Sequence, residues 1–177
     1  MSKKLILTIS ASDQTGLLNQ VADAVSQAGG NWLESSMSHL AGKFAGIALV
    51  EIDPAKQSQL TDSLNALRES GLQILVEQDY DTPADTEQRL LEVEVVAHDR
   101  KGIVRELTAL LSKLKVNIES LHTNRTVAAM SSEHLFEASA VVGLPVSLDD
   151  EDFRKHLETL SDDLMVELFD LDEERSE

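Results

Sequence analysis

The sequence predicts an α+β fold made of two successive copies of one βαββαβ unit. A repeat is the first observation behind this. "SASDQTGLLNQVADAVSQAGGN" (10–31) and "VAHDRKGIVRELTALLSKLKVN" (96–117) align without a gap. Asp13 falls on Asp99, Gly16 on Gly102 and Asn31 on Asn117, at one constant offset of 86. Second, the apolar pattern switches between strand-like and helix-like spacing in the same order in both halves. Third, the polar, acidic, proline-bearing "DYDTPADTEQ" (79–88) separates the halves and reads as a linker. A repeat this long is a duplicated domain, not a solenoid unit. The expected organisation is 1–78, a linker at 79–88, 89–171, and an acidic tail at 172–177.

Each half then reads element by element. "KLILTISA" and "LLEVEVVA" are apolar, partly alternating first strands. The Asp-x-x-Gly turn follows. The next helix places apolar residues at 17, 18, 21, 25 and 28, and in the second copy at 103, 104, 107, 110, 111 and 114. Gly29-Gly30 ends the first helix with left-handed backbone. A hairpin is expected at 31–40 and 43–52, turning at Ala41-Gly42. Its counterpart is expected at 116–127 and 133–144, with a longer connection at "AAMSS". Phe44 matches Phe136 at an offset of 92, so the second hairpin is about six residues longer. A second helix carries Leu60, Leu64 and Leu67 in one half, and Phe153, Leu157 and Leu160 in the other; Asp53-Pro54 suits a helix start. "LQILVEQ" and "LMVELFDL" close the halves. The order is the ferredoxin-like split βαβ, twice. Both helices then cover one sheet face, and the other face, of Leu, Ile and Val, wants a further layer.

Composition narrows the function. With 177 residues, 42% hydrophobic and 3% aromatic, the chain can bury an aliphatic core. It has no cysteine, which removes disulfides, thiol catalysis and cysteine zinc sites. No apolar run reaches membrane-helix length, and "MSKKLILTIS" reads as a strand rather than a signal peptide. A cytoplasmic location and no membrane partner are expected. Net charge is −17, of which −5 lies in residues 1–83 and −12 beyond. Such a chain repels nucleic acid, and no basic reading helix offsets that. The acidic stretches are read as a helix start and a solvated tail.

A ferredoxin-like unit opening with "DQTGLL" or "DRKGIV" resembles the ACT domain, a small regulatory module that binds amino acids. Two such units at this length resemble the glycine cleavage system transcriptional repressor family. The resemblance covers nearly the whole chain. It implies glycine as ligand and a DNA-binding activator protein as partner, the activator being held rather than DNA being bound. It implies no cofactor and no catalysis.

The residues suit an amino acid on their own chemistry. Backbone amides at a helix start favour a carboxylate. Gly16 or Gly102 lets a ligand approach the backbone. Asp13 or Asp99 can accept from an ammonium, and Asn31 or Asn117 can donate and accept. One turn alone is shallow, so such a site is expected between domains. The same Asp residues can instead cap the helix, or do both, since a carboxylate has two oxygens. The five histidines show no metal spacing. His98 is read as a strand-end residue that could line a ligand site, Trp32 as packing, and Arg100, Lys101 and Arg105 as a solvated helix start. The rival readings are a regulatory subunit of an amino-acid enzyme, a ligand-free scaffold that could form homo-oligomers, and an enzyme related to formyl-tetrahydrofolate hydrolysis. The last would need a catalytic domain beyond the second unit.

Overall fold

The computed structural model describes residues 2–78, 88–128 and 132–171. The linker expected at 79–88 lies outside these residues except for Gln88, which opens a strand; the acidic tail lies outside them altogether. The chain divides into two compact units, Met1–Asp81 and Thr82–Glu177.

The first unit runs β1 (Lys3–Ser12), α1 (Leu17–Gln27), β2 (Asn31–Leu40), β3 (Lys43–Ile52), α2 (Gln57–Ala66) and β4 (Gln73–Gln78). Its antiparallel sheet has the order β2-β3-β1-β4. The second runs β5 (Gln88–His98), α3 (Ile103–Lys113), β6 (Asn117–Val127), β7 (His134–Pro145), α4 (Asp150–Glu158) and β8 (Met165–Asp170), with the sheet order β6-β7-β5-β8. Both are the split βαβ arrangement. Single turns of 3-10 helix flank α2, the first opened by Asp53, whose carboxylate accepts from the amide of Ala55 at 2.9 Å. Asp149 caps α4 in the same way, accepting from the amide of Asp152 at 2.8 Å.

Alternation along β1 sends Leu5, Leu7, Ile9 and Ala11 into the core, where they meet Leu17 and Val21 of α1 and Leu60 and Leu64 of α2. Each fully buried leucine contributes about 1.5–3 kcal/mol of burial energy. In the second unit Leu91, Val93, Val95 and Ala97 meet Ile103, Leu107, Phe153 and Leu157. Trp32 is half-buried against the first core. One expectation is corrected in both halves. Leu18 and Val104 are 38% and 39% exposed, not buried. Each sits one residue past a helix start, about 100° round the helix from the buried Leu17 or Ile103, so it faces away from the sheet.

The outer sheet faces also correct the sequence reading. In the first unit the face opposite the helices carries Ile6, Ile47, Leu49 and Leu75, as expected, with Ile47 and Leu75 exposed. In the second unit the corresponding positions are Glu92, Ser139, Val141 and Glu167. Glu92 accepts from the Ser139 hydroxyl at 3.2 Å. The second unit's outer face is mixed: exposed Met165 and Phe169 share it with Glu92 and Glu167.

Candidate functional site

The turn that links β1 to α1 forms where the sheet runs out. The amide of Asp13 donates to the Gly42 carbonyl at 2.9 Å, which fixes the turn against the hairpin tip. The chain then reverses at Gly16, whose φ is 90°. A side chain is disfavoured there by this left-handed backbone and not by space, because a Cβ would meet nothing within 4 Å. Helix α1 follows at once, with no side-chain cap on its first amides. Those amides carry the positive end of the helix dipole.

The capping role expected of Asp13 and Asp99 is overturned. Gly16 and Gly102 hold the cap positions, and each carboxylate turns instead to a basic residue on the neighbouring hairpin. Asp13 Oδ2 lies 3.5 Å from His39 Nε2. Asp99 Oδ2 lies 2.7 Å from Arg125 Nε. The sheet explains this pairing. Ala11 lies opposite Phe44, and Phe44 opposite His39, so Asp13, just beyond the strand end, meets the last residues of β2. In the second unit Ala97, Phe136 and Arg125 stand in the same relation.

Around the first turn there is an open depression of ≈ 290 Å³, lined by Asp13, Gln14, Gly16, Leu18 and Phe44 among others. The start of α1 and Asp13 border it, with Leu17, Leu18 and Phe44 as its apolar lining. It therefore offers a place for an anion and a cation a few ångströms apart.

The second turn has the same backbone. The amide of Asp99 donates to the His134 carbonyl at 2.9 Å, and Gly102 has a φ of 92°. Its side chains differ. Arg100 donates to Glu106 at 2.5 Å and to the Leu160 carbonyl at 3.1 Å, so it is not the freely solvated residue expected. Its proximity lowers the Glu106 carboxyl below its ordinary value. His98 places Nδ1 2.6 Å from Asp163 and Nε2 3.2 Å from Glu133. Its backbone amide also donates to Asp163 at 2.7 Å. The hydrogen bond to Asp163, and next that to Glu133, raise the His98 pKa. Hydrogen bonds from Ser161 and from His98 hold the Asp163 carboxyl well below the usual range. His98 and Asp99, adjacent in sequence, thus serve different partners.

Asn31 and Asn117 do not join the turn of their own unit. Asn31 pairs with Glu51 in the sheet register, whereas Ser12, next to Asp13, pairs with Lys43. The stretch of β3 from Lys43 to Glu51 separates them by roughly 26 Å at the usual strand rise. Asn117, opposite Gly143, stands equally far from Asp99, and its side chain donates to Glu119 at 2.6 Å. Among the described residues no group of three or more His, Asp or Glu side chains is placed to hold a metal ion. No described helix is long and apolar enough to cross a membrane.

Comparison with known proteins agrees with this architecture. Residues 3–77 match the family model of the ACT domain. Among solved structures, an unknown protein from Galdieria sulphuraria superposes with a TM-score of 0.79 at 25% identity, over 97% of this chain and 99% of that one. A candidate glycine cleavage system transcriptional repressor superposes with a TM-score of 0.71 at 17% identity, over 96% and 99% of the two chains. No curated protein matches the sequence significantly. The first unit matches the ACT domain, and the second repeats its ferredoxin-like fold, as tandem ACT domains would.

Proposed function

We propose that this tandem ACT-domain protein is a regulator, not an enzyme, that responds to a small amino acid, glycine first among the candidates. The observation that carries the reading is the first turn. There the Asp13 carboxylate and the uncapped start of α1 face one depression across Gly16. An amino acid's carboxylate suits the helix amides and its ammonium suits Asp13. Glycine comes first because its pathway appears in the name of a structural neighbour.

Its output is regulation of transcription through a bound DNA-binding activator. The charge of −17 supports a protein partner over direct operator contact. Glycine would then act by binding one of two states, activator-bound or free, better than the other.

Calorimetric titration of the full chain with the standard amino acids tests the reading. A small amino acid should bind, and Asp13→Asn should weaken it by about 1.5–3 kcal/mol, roughly 10- to 150-fold, the loss expected for a hydrogen bond to a charged group. Asp13 does not cap α1, so this variant leaves the helix start unchanged. Absence of binding at millimolar concentration would replace this reading with a ligand-free scaffold.

A further inference from the structure

We infer that the second turn is closed to amino acids by the protein's own charges: Arg125 takes the place of a ligand ammonium and Glu106 that of a ligand carboxylate, so each chain binds one amino acid, at the first turn. This rests on the ligand reading above and adds to it which turn responds and why.

The repeat makes several positions around the two turns equivalent. His39 corresponds to Arg125, Gln20 to Glu106 and Gln14 to Arg100, all at the offset of 86 that relates the two turns. Arg125 contacts Asp99 at 2.7 Å, whereas His39 stands 3.5 Å from Asp13, beyond a good hydrogen bond. The Asp99 side chain is 29% exposed and that of Asp13 is 54% exposed. An arriving ammonium therefore finds Asp13 open, and it finds Asp99 already satisfied by a cation that never deprotonates.

At the anion end the difference is one of charge, since neither helix start carries a side-chain cap. Glu106 lies in the first turn of α3, and α1 has no acidic residue there. Glu106 Oε1 comes within 3.7 Å of where a side chain at Gly102 would begin, while the same space at Gly16 is empty for 4 Å. A carboxylate already at the helix start uses the dipole's favourable field and repels a second one. Arg100 holds Glu106 in place. A free amino acid would have to displace both intramolecular charges at once, and each is tethered at high effective concentration.

Swapping the two sets of residues tests this. The full chain is titrated calorimetrically with glycine, L-alanine and L-serine, with circular dichroism to verify folding. Wild type should bind one molecule per chain. Arg125→His combined with Glu106→Gln gives the second turn the first turn's residues, and should raise the stoichiometry to two. The reciprocal variant, His39→Arg with Gln20→Glu, should weaken binding at least tenfold. Two sites in wild type would overturn the inference and leave the ligand reading standing. So would wild-type affinity in the reciprocal variant, or a folded Arg125→His/Glu106→Gln protein that stays at one site. No binding by wild type to any of the three would overturn the ligand reading, and the inference with it.

Discussion

Leu60 and Leu64 of α2 occupy in the first unit the places that Phe153 and Leu157 of α4 occupy in the second, and all four are almost free of solvent. At the outer sheet face the same pairing of positions gives Ile6 against Glu92 and Leu75 against Glu167. At the turn it gives His39 against Arg125 and Gln20 against Glu106. Duplication has thus kept the interior and diverged on the surface. The interior answers to packing, which punishes any change of volume in either copy. A turn answers to what it binds, and two copies need not bind the same thing. Individual outer-face positions, such as Ile6 against Glu92 and Leu75 against Glu167, differ for the same reason: neither face is fixed by its own unit's core.

The largest expected effect would break the sameness of the interiors. Phe153→Ala should destabilise the second unit by about 3–5 kcal/mol, and Leu60→Ala the first by about 2–5 kcal/mol, from lost burial plus an unfilled cavity. Residue-resolved hydrogen exchange should show faster exchange within 88–171 for Phe153→Ala and within 2–78 for Leu60→Ala. Equal acceleration across both units in either variant would show that the two cores do not act as separate compact units.

A smaller effect should appear equally in both copies. Gly16 and Gly102 have φ values of 90° and 92°, so alanine at either position forces left-handed backbone on a residue with a Cβ. Each Gly→Ala variant should lose about 1–2 kcal/mol in chemical denaturation. The cost arises from the backbone and not from crowding, because the space at Gly16 is empty. A cost-free Gly16→Ala would mean that the turn adopts another conformation in solution. For the same reason, a bulky residue at Gly16 is a poor probe of ligand access: it changes the backbone before it meets a ligand.

Much of this comparison was legible in the sequence, and what was not has a physical reason. The hairpin at 31–40 and 43–52 forms at those bounds, because Ala41-Gly42 makes the turn and both residues have positive φ. The two turns were visible because glycine in a left-handed conformation leaves a local mark. The partners of Asp13 and Asp99 were missed, since His39 and Arg125 reach them across the sheet from the far end of β2 or β6. Carrying the constant offset of 86 past Asn31 to His39 was the signal that could have found them. Asn31 and Asn117 stand apart from the turn of their own unit for the opposite reason. They follow the helix closely in sequence, but α1 and α3 each run about 16 Å back along the sheet, which carries the asparagine away from the turn where the helix began.

The smallest expected effect separates the units by pH. His98 and Asp163 of the second unit correspond to Ser12 and Gly71 of the first, so only the second unit carries this ion pair at the strand end. The His98 pKa is raised above its ordinary 6.5, chiefly by Asp163 and then by Glu133. A group whose pKa rises on folding stabilises the fold fully below its unfolded value and ceases to do so as pH climbs through the folded value. Asp163 has a lowered pKa, so its contribution is present above its ordinary 3.8 and is lost as pH falls below it toward the folded value. The two limits leave a window between about pH 4 and 6.5 in which both groups stabilise the second unit. His98→Ser installs the first unit's residue at this position. The midpoint of thermal unfolding of the second unit should differ most between wild type and His98→Ser inside that window. The gap should narrow as pH rises from 6.5 through the raised folded value of His98, and narrow again in acid. Both residues are largely exposed, so the gap should also shrink in high salt. A midpoint difference that stays constant from pH 4 to 9 would mean that His98 acts there through packing or its backbone amide bond, and that the strand ends of the two units differ in shape rather than in charge.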